Sequence, residues 1–164
     1  MKINSMNDFM LHELQDLMGA EEQILEALPK MIQEVGDPKL KQLLQQHLKE
    51  TQNQVKRLEQ CFKSLGESPK SEKCKGMAGI ISEGEKMMKD IQDSEVRDAA
   101  IIGSAQKVEH YEMAAYGTMR TLAKTMGLND IADLLQKTLD EEGEADKKLT
   151  AVAEARVNKK AASS

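Results

Sequence analysis

Tryptophan is absent from this chain of 164 residues, and the other aromatics amount to two phenylalanines and two tyrosines. Sheets draw heavily on aromatic and β-branched residues in alternating runs. Here Val and Ile are scattered and no alternating run develops, which excludes a strand-rich fold. Three prolines and ten glycines leave little material for the many turns of a sandwich or barrel. Two cysteines, Cys61 and Cys74, are too few for a disulfide scaffold. With no export signal at the N-terminus, both thiols are expected to be reduced and the protein cytoplasmic. No apolar stretch approaches the ~20 residues that span a bilayer, so no membrane role is expected. The formal net charge of −5 argues against a dedicated nucleic-acid binder, and Lys63, Lys70, Lys73 and Lys75 read as a solvated loop.

Leu, Met, Ala, Glu, Lys and Gln are plentiful instead, and these are good helix formers. The chain therefore reads as all-α, with four long amphipathic segments. The first runs from about Ser5 to Val35, opens on Ser5 with Asp8 three residues on, and carries Pro29, which is expected to kink it. Gly36-Asp37-Pro38 separates it from a second, Lys39 to Leu65, which Gly66 stops. The third spans roughly Ser94 to Met126 before Gly127, and the fourth starts at a cap on Asn129 or Asp130 and ends near Val157. Residues 158–164 read as a disordered tail behind a single domain at 1–157. Tight turns make helices one–two and three–four antiparallel hairpins. The connection between the hairpins, with a short helix expected from Met77 to Met88, is long enough to cross the length of a bundle. This predicts a ferritin-like four-helix bundle, two antiparallel hairpins joined by a long crossover with a short extra helix.

The hairpins also resemble each other. At an offset of 91, Gly36 falls on Gly127, Leu40 on Ile131, Leu58 on Leu149 and Glu21 on Glu112. In AQKVEHYEMAAYGT, from Ala105 to Thr118, the face of small and apolar residues also carries Glu109 and Glu112. Glu21 and Glu50 sit among apolar residues in the first two helices, and Glu141 matches Glu50 in the fourth. One carboxylate per helix is thus expected to meet inside the bundle. Unpaired, each would cost several kcal/mol and repel the others; two divalent metal ions would neutralise all four. No Glu-x-x-His pair occurs, and His47-x-x-Glu50, Gln54, Glu141-x-x-Glu144 and Glu142-x-x-x-Asp146 stand in its place. Such an oxygen-rich set suits Mn²⁺ or oxidised iron over Cu or Zn. Periodicity does not choose between Glu141 and Glu142 as the inward residue. For His47, a hydrogen bond to a neighbouring carboxylate is favoured over a ligand role.

The runs AEEQILEALPKM, HLKETQNQVKRLE, EVRDAAIIGSAQKVEHYEMAAYGT and TLDEEGEADKKLT resemble the YciF-type ferritin-like proteins, a bacterial stress-associated family. The resemblance spans about Asn7 to Lys160. It implies a ferritin-like bundle, a di-metal centre, a homodimer, and a part in stress response; with the carboxylate set, the function expected is that of a di-metal (Fe or Mn) carboxylate protein reacting with O₂ or peroxide. Carried onto this chain, it points to Glu21, Glu50, Gln54, Glu109, Glu112, Glu141, Glu142 and Asp146 as the metal-binding interior. A non-catalytic dimeric helical-bundle binding module is the alternative.

Overall fold

The computed structural model describes residues 2–164, and no strand occurs among them. Helices α1 (Met6–Glu34), α2 (Pro38–Ser64), α4 (Ser94–Thr125) and α5 (Asn129–Val152) form the bundle. The crossover between α2 and α4 contains α3 (Lys75–Asp90). Helix α1 pairs with α2, α4 with α5, α2 packs on α5, and α3 lies against α1 and α4.

Local chemistry sets the helix ends. Ser5 accepts a hydrogen bond from the Asp8 backbone N–H, and Asp37 accepts from those of Lys39 and Leu40 with Pro38 in the first turn. Gly66 and Gly127 take positive φ, at 73° and 74°, so the next N–H folds back onto the helix: Glu67 donates to Phe62 and Leu128 to Ala123. Gly36, the repeat partner of Gly127, is not of this kind. Its N–H donates to Asp98 Oδ1 at 2.9 Å, and Asp37 N–H to Oδ2 at 2.7 Å, which ties the α1–α2 turn to α4.

Some expectations need correction. No side chain caps α5, whose first turn follows Leu128 rather than a capping Asn129 or Asp130. The chain beyond Val157 is not a disordered tail throughout: α5 passes through one π-helical stretch, Ala153–Val157, into α6 (Asn158–Ala161). Val157 is buried, and Arg156 Nε reaches Asp37 Oδ2 at 2.9 Å, so this end is anchored to the α1–α2 turn.

The crossover hugs α1 at Gly19, where Glu72 N–H donates to the Gln15 carbonyl. A Cβ on Gly19 would lie 1.7 Å from the Glu72 oxygen, so only glycine admits this approach. Cys74 then caps α3, with Gln23 bonding both its N–H and its carbonyl. The apolar core falls into two clusters. One gathers Leu28, Leu44, Met77 and Ile101; the other Leu14, Phe62, Tyr116 and Leu135.

Candidate metal centre

Between those clusters runs a layer of polar side chains. Helix α1 supplies Glu21; α2 His47, Thr51 and Gln54; α4 Glu109 and Glu112; α5 Thr138 and Glu142. All are buried, and Glu21, Thr51, Gln54, Glu112 and Glu142 are fully so, at 0 % exposure. Their positions follow the packing seam of each helix. In α2 the buried series Leu40, Leu44, His47, Thr51, Gln54, Leu58 advances by alternating steps of four and three. In α5, Ile131, Leu135, Thr138 and Glu142 advance in the same way.

One nitrogen or oxygen from each of His47, Glu109, Glu112 and Glu142 lies within 4.8 Å of the others. His47 Nδ1 is 3.4 Å from Glu109 Oε1, yet neither ring nitrogen makes a hydrogen bond. Also without partners are Glu21 Oε2, Glu109 Oε2, both Glu112 oxygens, Glu142 Oε2 and Gln54 Oε1. Each orphaned buried polar atom costs about 1–3 kcal/mol, so this many in one layer marks a place built for something besides packing.

Such hydrogen bonds as exist fix the carboxylates from behind. The Tyr116 hydroxyl donates to Glu21 Oε1, and Gln54 Nε2 donates to Glu142 Oε1 and, at 3.2 Å, to Glu141 Oε2. Burial pushes the Glu21 carboxyl up to about 8; the Glu142 charge adds to this, and the Tyr116 hydroxyl works against it. Glu109 and Glu112 are raised well above the usual carboxylate range, first by burial and then by their carboxylate neighbours. Burial likewise raises the Tyr116 hydroxyl, with the Glu21 charge next.

The structure therefore brings together Glu21, Gln54, Glu109, Glu112 and Glu142 from the eight residues anticipated. The other three lie elsewhere. Glu50, expected to face inward, is half-buried and accepts from Gln46 at 2.7 Å. It sits one residue off the α2 seam, a rotation of ~100°, so Thr51 takes the inward place. Glu141, its repeat partner, is turned aside in the same way: Arg57 grips it with two bonds of 2.6 Å at the layer's edge. The inward residue of that pair is Glu142. Asp146 bonds Gln106 at 3.0 Å and His110 at 3.2 Å, outside the group. His47 was read as hydrogen-bonded rather than ligating; here both its nitrogens are free of such bonds among four converging groups. The alternating steps running from Leu40 to Leu58 were the available signal for His47 and Thr51.

A bundle of two hairpins joined by one long crossover, with carboxylates in its interior, has the ferritin-like fold. A two-domain protein from Anabaena variabilis containing DJ-1/ThiJ/PfpI-like and ferritin-like domains shares the fold, at a TM-score of 0.67 and 18 % identity over 94 % of this chain and 38 % of that one. The chain belongs to the family described as a domain of unknown function, DUF892, matched over residues 5–162. It is 43 % identical to Protein YciF of Escherichia coli K12 across 98 % of both chains. The crystal structure of that E. coli stress protein superposes with a TM-score of 0.91 at 42 % identity, covering 96 % of this chain and 99 % of that one. YcfI of Rhodopseudomonas palustris matches with the same TM-score at 45 % identity, covering 93 % and 97 %.

Proposed function

We propose that the polar layer is a metal centre holding two divalent ions, Fe or Mn, in a stress-response protein that reacts with dioxygen or peroxide. The observation that carries this reading is the convergence of four buried carboxylates, Glu21, Glu109, Glu112 and Glu142, with unsatisfied oxygens and a hydrogen-bond-free His47. The donor chemistry fits: oxygen-rich with a single imidazole, the set expected for Mn or Fe. Charge sets the number, because four ionised carboxylates are balanced by two divalent ions.

His47, Glu21, Glu109, Glu112 and Glu142 would hold the ions through their unpartnered nitrogens and oxygens. Bound ions would supply charge neutralisation and redox electrons. Tyr116 and Gln54 orient Glu21 and Glu142 through their hydrogen bonds, and the apolar clusters on either side exclude bulk water. Arg57 and Glu141 neutralise one another at the edge and add no charge to the interior. Among the described residues no helix is long and apolar enough to cross a membrane. A cytoplasmic homodimer is the working state.

The test is metal stoichiometry after loading the metal-free chain with Fe²⁺ or Mn²⁺ under nitrogen. About two ions per chain in the parent, lost in Glu112→Gln/Glu142→Gln, is the expected result. A parent that takes up neither metal refutes the reading.

A further inference from the structure

His47 and Glu109 have a second surrounding besides the polar layer. On the side of the crossover they form the end of a crevice between α1, α3 and α4, walled by Ile24, Leu28, Ile80, Ile81, Ala105 and Val108. Its outer rim reaches the exposed Glu85 on α3. The crevice exists because α3 sits close without sealing against the bundle: Gly84 approaches so tightly that a Cβ there would lie 3.3 Å from Ser104. The free space is about 30 Å³. A single water needs roughly 10–15 Å³, so the crevice has the dimensions of a diatomic molecule. Away from its His47–Glu109 end, its walls offer almost nothing for water to bond, and apolar space of this kind stays dry.

A smaller crevice of about 10 Å³, between α2 and α5, reaches the same two residues past Gln46, Glu50 and Lys148. It is the more polar of the two, with Gln46, Glu50 and Lys148 among its lining, and suited to water or a proton carrier. The two approaches to His47 thus differ in chemistry as well as in place. An ion or a polar solute entering the apolar crevice would lose its hydration for no compensating bond, at a cost of several kcal/mol. A small neutral apolar molecule would lose little.

We propose that the crevice between α1, α3 and α4 is the binding site and approach for a diatomic gas of the dioxygen class, delivered to the His47–Glu109 side of the polar layer. This rests on the metal-centre reading, and it selects dioxygen over peroxide as the molecule that uses this path. The residues that line it discriminate by polarity and size: Ala105, one of the small residues in the wall, leaves space for the gas on the α4 side.

Xenon is the probe, being apolar and of comparable size. Crystals of the metal-free full-length protein are pressurised with it, alongside Ala105→Leu, which fills the crevice from α4, and Ile81→Trp, which closes its partly exposed rim on α3. Xenon beside Ala105 in the parent, lost in either folded variant, is the expected result. No xenon there, or xenon retained in both variants, overturns the proposal. Metal uptake measured on the same preparations separates the two readings. Metal bound without xenon removes the crevice and leaves the centre standing; xenon bound by a chain that takes no metal overturns both the centre and the delivery role.

Discussion

The two hairpins of the bundle share a framework but bring unequal chemistry to its middle. Shifted by 91 positions, Leu40, Leu44 and Leu58 fall on Ile131, Leu135 and Leu149, and all six are buried. Glu21 falls on Glu112, and both are fully buried. The match fails at the inward positions of the second helix of each hairpin, where His47 and Thr51 stand opposite Thr138 and Glu142. To the polar layer the α1–α2 hairpin thus brings one carboxylate, Glu21, beside His47, Thr51 and Gln54, whereas α4–α5 brings Glu109, Glu112 and Glu142. The positions that agree are those that fill space between helices. Those that differ carry charge and hydrogen bonds. With Thr51 rather than a second carboxylate on α2, the layer carries less like-charge repulsion, and Gln54 from the same helix donates to Glu142.

Making the hairpins equal should have the largest effect. Thr51→Glu places a further carboxylate opposite Glu142, and the metal-free protein should lose about 3–5 kcal/mol, or on the order of 10 °C in melting temperature. Saturating Mn²⁺ should restore most of that loss. An unchanged metal-free melt would show that the layer is wetter than its burial indicates.

The opposite change, Glu142→Gln, removes a charge from the crowded half. It should raise the metal-free melting midpoint at pH 8 by a few degrees, about 1–2 kcal/mol, while weakening metal retention. Stabilisation without any loss of metal would detach Glu142 from the centre.

The pH dependence follows from Glu21. Its carboxyl titrates near 4.5 ordinarily but at about 8 in the fold, so between these values the native state holds a proton that the unfolded chain has released. The contribution is fully present below pH 4.5 and is lost as pH rises through about 8. Denaturant midpoints of the metal-free protein should therefore fall from pH 5.5 to pH 8.5, and Glu21→Gln should flatten that slope. A midpoint that rises over this range would contradict the assigned direction.

The smallest effect belongs to the residue turned away from the seam. Glu50→Gln should change stability by less than about 0.5 kcal/mol and leave metal stoichiometry untouched. A loss of metal in this variant would return Glu50 to the ligand set and imply that α2 rotates when metal binds.

Much of the fold was legible because its signals are local. Ser5, Asp37-Pro38, Gly66 and Gly127 mark helix ends by capping chemistry that involves only near neighbours. Glu21, Glu109 and Glu112 were found because a carboxylate on an apolar face is visible in the spacing itself. Glu50 was misplaced because it lies one position off the α2 seam, among residues that do face inward, and its repeat partner Glu141 is turned aside with it. The continuation of α5 into α6 escaped notice because its anchor, the contact between Arg156 and Asp37, joins residues far apart in the sequence.

By itself, then, the sequence determined a helical bundle of two hairpins, the length of its crossover, and an interior holding more acid than packing requires. Those properties follow from composition, capping and periodicity, which act within a few residues. Only the tertiary structure decided between Glu141 and Glu142, set Thr51 inward in place of Glu50, and left His47 without a hydrogen bond beside Glu109. Neighbouring residues on a helix point ~100° apart, and which of them faces the core depends on where α2 and α5 meet, a choice made by packing across the bundle.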